Sequence, residues 1–228
     1  MSIGSGEIGQ AGLQFFGRMN ASISHELKNV LAIIKENAGL LNDYISAAAN
    51  GAPIDPQRLG AVGRRIESQT ARADAIIKTM NQFAHTVDRP HQSVDLNHML
   101  ALLVSLHNRP AAMSQVRLEP QSADGPVVVA TAPFILLNLL GLVLRTALQA
   151  VPAGGTMAIR VDKIPNGALF NFSGLTSHSN LSGMVYPGPQ ESALLTALSA
   201  QARIEASLER ICVTLPLGLD ALSSATSR

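Results

Sequence analysis

The sequence predicts an α+β protein in which a long helical hairpin precedes a mixed α/β domain. Three observations carry that expectation. Apolar residues fall at three- and four-residue steps from about Gly9 to Ala49, and again from Leu59 to Val87, which is the spacing of a single buried helix face. A Gly/Pro-containing break, AANGAPIDPQ, separates the two runs. Beyond Val94 the period changes, and short alternating segments such as TMAIRV and GALFNF are interleaved with apolar helical stretches. That order fits helices packed on one sheet. The expected division is 1–90 for the hairpin and 91–228 for the second domain.

The elements follow in order. Phe16, Met19, Ile23, Leu27, Val30, Ile34 and Leu41 make the stripe of the first helix, and Gly51 and Pro53 stop it. Asp55 followed by Pro56 has the form of an N-cap and first-turn proline. The second stripe then runs through Leu59, Val62, Ile66, Ala73, Ile77, Met80, Ala84 and Val87, ending before Pro90. Two long helices on a short loop form an antiparallel hairpin with one continuous seam. Pairing two hairpins into a four-helix bundle would bury both stripes, so a homodimer is expected.

In the second domain VDLNHMLALLVSL reads as a helix with Asp95 near its cap, and QVRLEP and GPVVVA read as short strands. Pro133 opens an apolar helix over 134–151, which PAGG closes. TMAIRV and GALFNF are strands. A Ser/Gly-rich linker, SGLTSHSNLSGMVYPGP, leads to a helix, QESALLTALSAQARI, and a last strand, LERICVTLPL.

Composition narrows the function classes. Among 228 residues, 46% are apolar and 14% charged, with mean hydropathy +0.21, which excludes a disordered chain and implies large buried surfaces. A formal charge of +1 points to neither nucleic acid nor an anionic membrane as partner. Cys212 is the single cysteine, so there is no disulfide framework and no thiolate zinc site; in RICVTLPL it reads as a small apolar strand residue. The start, MSIGSGEIGQ, lacks the order of a secretory signal. The most apolar run, Phe134 to Val151, is interrupted by Asn138, Arg145 and Gln149 and suits a buried helix better than a membrane span. A cytoplasmic protein is expected.

Chemistry concentrates in NASISHELKNVLAIIKENAGLLND, Asn20 to Asp43. At 100° per residue Asn29 is the next-turn neighbour of His25, with Lys28 on its other side. Glu26 is rotated away but long enough to approach the same wet face. A neutral imidazole has one ring nitrogen free to attack an electrophile such as a phosphoryl group. A nearby carboxylate can hold the other ring N–H and stabilise developing positive charge. An amide one turn on could orient a phosphoryl oxygen or a water, and Lys28 could offset the added negative charge. The same residues also suit an ordinary solvated helix face, and local spacing leaves both readings open. The other histidines read as structural or solvated: His85 and His91 near the domain boundary, His98 and His107 without acidic partners at metal spacing, and His178 in the linker.

The stretch SISHELKNVLAIIKENAGLL resembles the phosphoacceptor box of bacterial sensor histidine kinases, where Ser-His-Glu-Leu-Lys/Arg-Asn/Thr-Pro-Leu is common; Val30 stands at the proline position. The box also lies midway along the first helix of a hairpin, as in that family. VDLNHMLALLVSL resembles the start of the family's ATP-binding domain and LERICVTLPL its last strand. The resemblance implies a dimerising hairpin followed by a histidine-kinase-type ATPase α/β sandwich. It implies that His25 is phosphorylated, that Glu26 is its acid–base partner, and that Asn29 is associated with dephosphorylation.

The second domain departs from the family's nucleotide-binding pattern. Where the family has Asn-Ala-X-X-Ala-X-Pro-X-Gly-Gly, this chain has Thr146-Ala147-Leu148-Gln149-Ala150-Val151-Pro152-Ala153-Gly154-Gly155, with threonine at the Mg²⁺-holding asparagine. The Asp-X-Gly-X-Gly segment that reads adenine is replaced by FNFSGLTSHSN, which keeps Gly174 and no aspartate; Asp162 lies one strand earlier. The glycine-rich lid is reduced to NLSGMVYPGPQESALL, without a Gly-X-Gly to cradle phosphates. The sandwich is therefore read as degenerate, and ATP-dependent autophosphorylation is not expected.

That combination resembles histidine phosphotransferases built like kinases with decayed ATPase domains. It implies a dimer that passes phosphoryl groups between response-regulator receiver aspartates through His25. No resident cofactor is expected, because the receiver brings its own Mg²⁺. Lys28, Val30 and Ile33 on the first helix, with Arg64 and Arg65 on the second, are the candidate receiver contacts. An atypical ATP-using kinase, a receiver phosphatase and a non-catalytic receiver-binding scaffold stay open as alternatives.

Overall fold

A computed structural model of the chain describes residues 3–176 and 186–218, with residues 3–7 and 206 described by backbone alone. Two compact units emerge: residues 17–82 form one, and residues 1–16 together with 83–228 form the other. The units part at residues 16 and 82, whereas position 90 marks where the sequence period changes. The fold is α+β, with a mixed sheet. Among the described residues no helix is long and apolar enough to cross a membrane.

The hairpin unit is made from α1 (Ile3–Ala49) and α2 (Pro56–Ala84). Its turn is built as the sequence predicts. Gly51 has φ +90°, and it donates to the Ala48 carbonyl while Ala52 donates to the Ala47 carbonyl, each at 3.0 Å. These two bonds close a Schellman cap, which needs the left-handed conformation that glycine adopts without strain. Asp55 Oδ1 then accepts from the Gln57 backbone N–H at 2.9 Å, capping α2 with Pro56 in its first turn.

Met19, Ile23, Val30, Val62 and Ile76 form the buried seam between the helices. The predicted α2 stripe needs correction towards its C-terminus. Ile77 is exposed and Ile76 buried, because one residue of offset turns a helix face by about 100°. Val87 is also exposed, because α2 gives way to a 3₁₀ turn, His85–Val87, with a different pitch.

The second unit contains β1 (Gln92–Asp95), α3 (Leu96–Met113), β2 (Arg117–Gln121), β3 (Val128–Thr131) and α4 (Pro133–Leu148). It continues with β4 (Thr156–Ile164), β5 (Gly167–Ser173), α5 (Pro189–Ala197), β6 (Gln201–Glu205) and β7 (Arg210–Pro216). The main sheet has the order β2-β4-β5-β7-β6, with β2 parallel to β4 and the other pairs antiparallel; β1 and β3 form a separate ribbon. Alternation along β5 and β7 sends Phe170, Phe172, Ile211, Val213 and Leu215 into a core shared with Leu136, Leu140 and Leu144 of α4. The start of α1 and the end of α2 belong to this unit through an aromatic cluster. Phe15 meets Phe83 edge-on at 5.6 Å, Phe16 stacks on Phe83 at 5.4 Å, and Phe134 joins both.

Asp95 caps α3 as expected, with Oδ1 accepting from the Asn97 N–H at 3.0 Å and also from the Val127 N–H at 3.2 Å. Two strands differ from the sequence reading. Gln92–Asp95, read as loop and helix start, pairs with β3. The helix expected over QESALLTALSAQARI stops at Ala197, where Ser199 has φ +52°, and Gln201–Glu205 becomes the edge strand on β7. Two glycines are required by close backbone approach. A Cβ on Gly167 (φ +153°) would run into the Leu215 carbonyl oxygen, and one on Gly174 (φ +93°) into the Thr156 carbonyl oxygen.

Candidate functional site

His25 is exposed on α1 between the buried Ile23 and Val30. The Ile23–Val30 stripe fixes the rotation of the helix, and His25, two residues after Ile23 and five before Val30, falls on the side away from it, in water. Among the described residues no group hydrogen-bonds to it, in contrast to His85 and His107. Lys28 and Asn29 are exposed beside it, and Glu26 is half-buried at the flank of the seam. The Glu26 carboxylate is not free to wander: Arg72 of α2 reaches across the hairpin, its Nη2 donating to Oε1 at 2.9 Å.

That contact sets the local register of the two helices. An antiparallel pair in step at Glu26 and Arg72 puts Gln69 level with Asn29 and Arg65 level with Ile33. Arg65, Gln69 and Arg72 recur at four- and three-residue steps and form one row. Arg64, exposed like Arg65, is rotated off that row, and its Nη1 would lie 3.2 Å from a Cβ on Gly60. Ile33 is 37% exposed. Val30 is not: it is wholly buried, so it belongs to the seam and is withdrawn as a receiver contact. Arg72 and Gln69 escaped the sequence reading. Their spacing with Arg65 was visible, but only a partner on α1 distinguishes that row from any solvated face. The Gln69 Oε1 is shielded from water without a donor among the described residues.

In the second unit the residues that the sequence resemblance sets against nucleotide-binding positions are placed as follows. Thr146 is half-buried near the end of α4. Asp162 lies in the sheet, where Arg160 Nε donates to Oδ1 at 2.7 Å and Asn171 Nδ2 to Oδ2 at 3.1 Å. Gly154 (φ +82°) donates its N–H to the Gln115 carbonyl at 2.8 Å, so the PAGG segment works as a turn. Gly174 is needed for its approach to β4. The first part of the reduced lid, residues 180–185, lies outside the described residues, as does His178. Among the described residues no cluster of three His, Cys, Asp or Glu side chains could hold a metal.

Two buried groups carry polar chemistry that composition did not reveal. Cys212, read as an apolar strand residue, is buried but donates to Asn171 Oδ1 at 3.2 Å, extending the Asp162 network across the sheet. Its thiol is pushed up by burial, with the Glu205 charge adding to the effect. His107 is 2% exposed on α3, with Nδ1 2.9 Å from the Leu103 carbonyl. Burial pushes its pKa down to about 4; the backbone bond opposes this and the Arg145 charge adds to it. His107 is therefore a neutral core residue.

No protein-family model matches the chain, and no curated protein does. Solved structures resemble it at low identity. The histidine kinase AdeS of Acinetobacter baumannii is 11% identical over 85% of this chain and 98% of that one, with a TM-score of 0.47. A bacterial phosphotransferase is 16% identical over 88% of this chain and 95% of its own, with a TM-score of 0.45. The mycobacterial sensor histidine kinase MprB is 17% identical over 55% and 97%, with a TM-score of 0.44.

Proposed function

We propose that the chain is a histidine phosphotransferase of a two-component phosphorelay, carrying a phosphoryl group on His25 between receiver-domain aspartates. The observation that carries this reading is the exposed, unbonded imidazole on the hairpin, with a held carboxylate beside it and an amide one turn on. In the forward step a ring nitrogen of neutral His25 attacks the phosphorus of the receiver's acyl phosphate in line. The P–N bond forms as the P–O bond breaks, and the electron pair leaves on the receiver carboxylate. The ring keeps the proton on its other nitrogen and gains a positive charge, which the Glu26 carboxylate offsets. The reverse step delivers the group to a second receiver. Positioning and a nucleophile of suitable basicity suffice, and the receiver's Mg²⁺ would neutralise the transferring oxygens.

Two further features support the reading. Asp162, the carboxylate nearest in sequence to the lost adenine-binding segment, is already held by Arg160 and Asn171. The hairpin also leaves Leu31, Ala38 and Ile45 exposed at seven-residue steps, a seam suited to a second copy of the chain. The test is incubation with radiolabelled ATP and Mg²⁺ in the absence of any receiver. The expected result is an unlabelled chain; label on His25 would assign an ATP-using kinase instead. A phosphatase reading draws on the exposed Asn29, one turn beyond His25. Free phosphate released from a phosphorylated receiver, compared between the wild type and Asn29→Ala, separates draining from transfer.

A further inference from the structure

We infer that Arg72 is a positioning residue for the reaction at His25, fixing the Glu26 carboxylate so that its second oxygen is presented to the imidazole. The inference rests on the reading of His25 as the phosphoryl carrier. Glu26 follows His25 directly, so its Cβ leaves the helix about 100° away, towards the flank that α2 covers. Left alone, a glutamate with several rotatable bonds would spend little time in one geometry at the edge of water, since fixing such a side chain costs entropy. Arg72 meets that cost from across 46 residues of sequence, with Nη2 2.9 Å from Glu26 Oε1.

Three observations distinguish this pair from an incidental surface contact. It is the one ion pair joining α1 to α2 among the described residues. Arg72 reaches Glu26 although Gln69, one turn earlier on the same row, has an amide oxygen without a donor. The side chains are 53% and 29% exposed, so solvent screens the attraction and the pair adds little to stability; the buried seam already holds the hairpin together. What the pair supplies is orientation. A permanently charged group bonded to Oε1 alone restrains where the carboxylate sits and leaves Oε2 able to accept from the ring N–H once the imidazole turns towards it. As the ring becomes positive during attack, the carboxylate is already restrained, and only the imidazole's own two torsions have to adjust to meet it.

Single-turnover transfer from a phosphorylated receiver, followed against chain concentration, separates the maximal rate from receiver affinity. For Arg72→Ala the maximal rate is expected to fall about tenfold, with the half-saturating concentration and the melting temperature unchanged. Arg72→Lys should recover most of the rate. Adding Arg72→Ala to Glu26→Gln should cost nothing further, because Arg72 acts through the carboxylate already removed. A rise in half-saturating concentration alone would make Arg72 a receiver contact and overturn the inference. So would losses that multiply in the double variant, or no loss at all. A wild-type chain that accepts no label would overturn the phosphoryl-carrier reading itself, and the inference with it.

Discussion

His107 gives a stability prediction that is independent of phosphotransfer. Its pKa is about 4 in the folded chain against 6.5 for the free side chain, so between those values the unfolded chain binds more protons. The contribution of a neutral His107 is fully present above pH 6.5, is lost as pH falls through that window, and levels off below about 4. The total is about 3 kcal/mol. Denaturant unfolding at pH 7 and at pH 4.5 should show a drop that His107→Gln removes from the pH dependence; an unchanged slope would contradict the burial. At this scale the site was only partly legible. The tripeptide His25-Glu26-Leu27 and Asn29 could be read along one helix, because neighbours on a helix follow from spacing alone. Arg72 could not, since the register of α1 against α2 is a tertiary property. Val30 was misplaced for a related reason, as an apolar residue beside the histidine suits contact and core equally until burial decides.

The helix ends of the hairpin were fixed by local chemistry. Gly51 and Asp55-Pro56 each impose a backbone conformation that needs no partner, and the turn forms where they fall. Gln201–Glu205 failed for the opposite reason. QARIE contains good helix formers, and only the ladder to β7 holds it extended, so tertiary pairing overrides propensity. The neighbouring ladder, β5 on β7, makes Gly167 essential: Gly167→Ala, facing the Leu215 carbonyl oxygen at φ +153°, is expected to cost about 3 kcal/mol or more in thermal or denaturant unfolding. Gly63→Ala in α2, where an added Cβ meets nothing within 4 Å, should be neutral or stabilising by comparison. On α1 the row of Leu31, Ala38 and Ile45 lies roughly 120° to 160° around the helix from His25, so association need not cover the imidazole. Leu31→Lys combined with Ile45→Lys is expected to shift the chain from dimer to monomer in sedimentation velocity; an unchanged sedimentation coefficient would exclude that face.

The whole chain combines a hairpin that exposes an imidazole with an α/β unit that keeps a hydrophobic core and links Arg160, Asp162, Asn171 and Cys212 in one polar network. The division into helical hairpin and α/β sheet was legible because the two periods, 3.6 and 2, differ over long stretches. The membership of residues 1–16 in the sandwich unit was not, because it depends on Phe15 and Phe16 meeting Phe83 and Phe134, contacts between segments far apart in sequence. His25 is exposed and has no hydrogen-bond partner among the described residues, so its ring is open to a docking partner. Phosphoryl transfer decides this most directly: the chain is mixed with a panel of prephosphorylated receivers and Mg²⁺, without ATP. The expected result is acid-labile, base-stable label on the wild type with at least one receiver and none on His25→Ala. Label of equal extent on His25→Ala, or none on the wild type with any receiver, would contradict it.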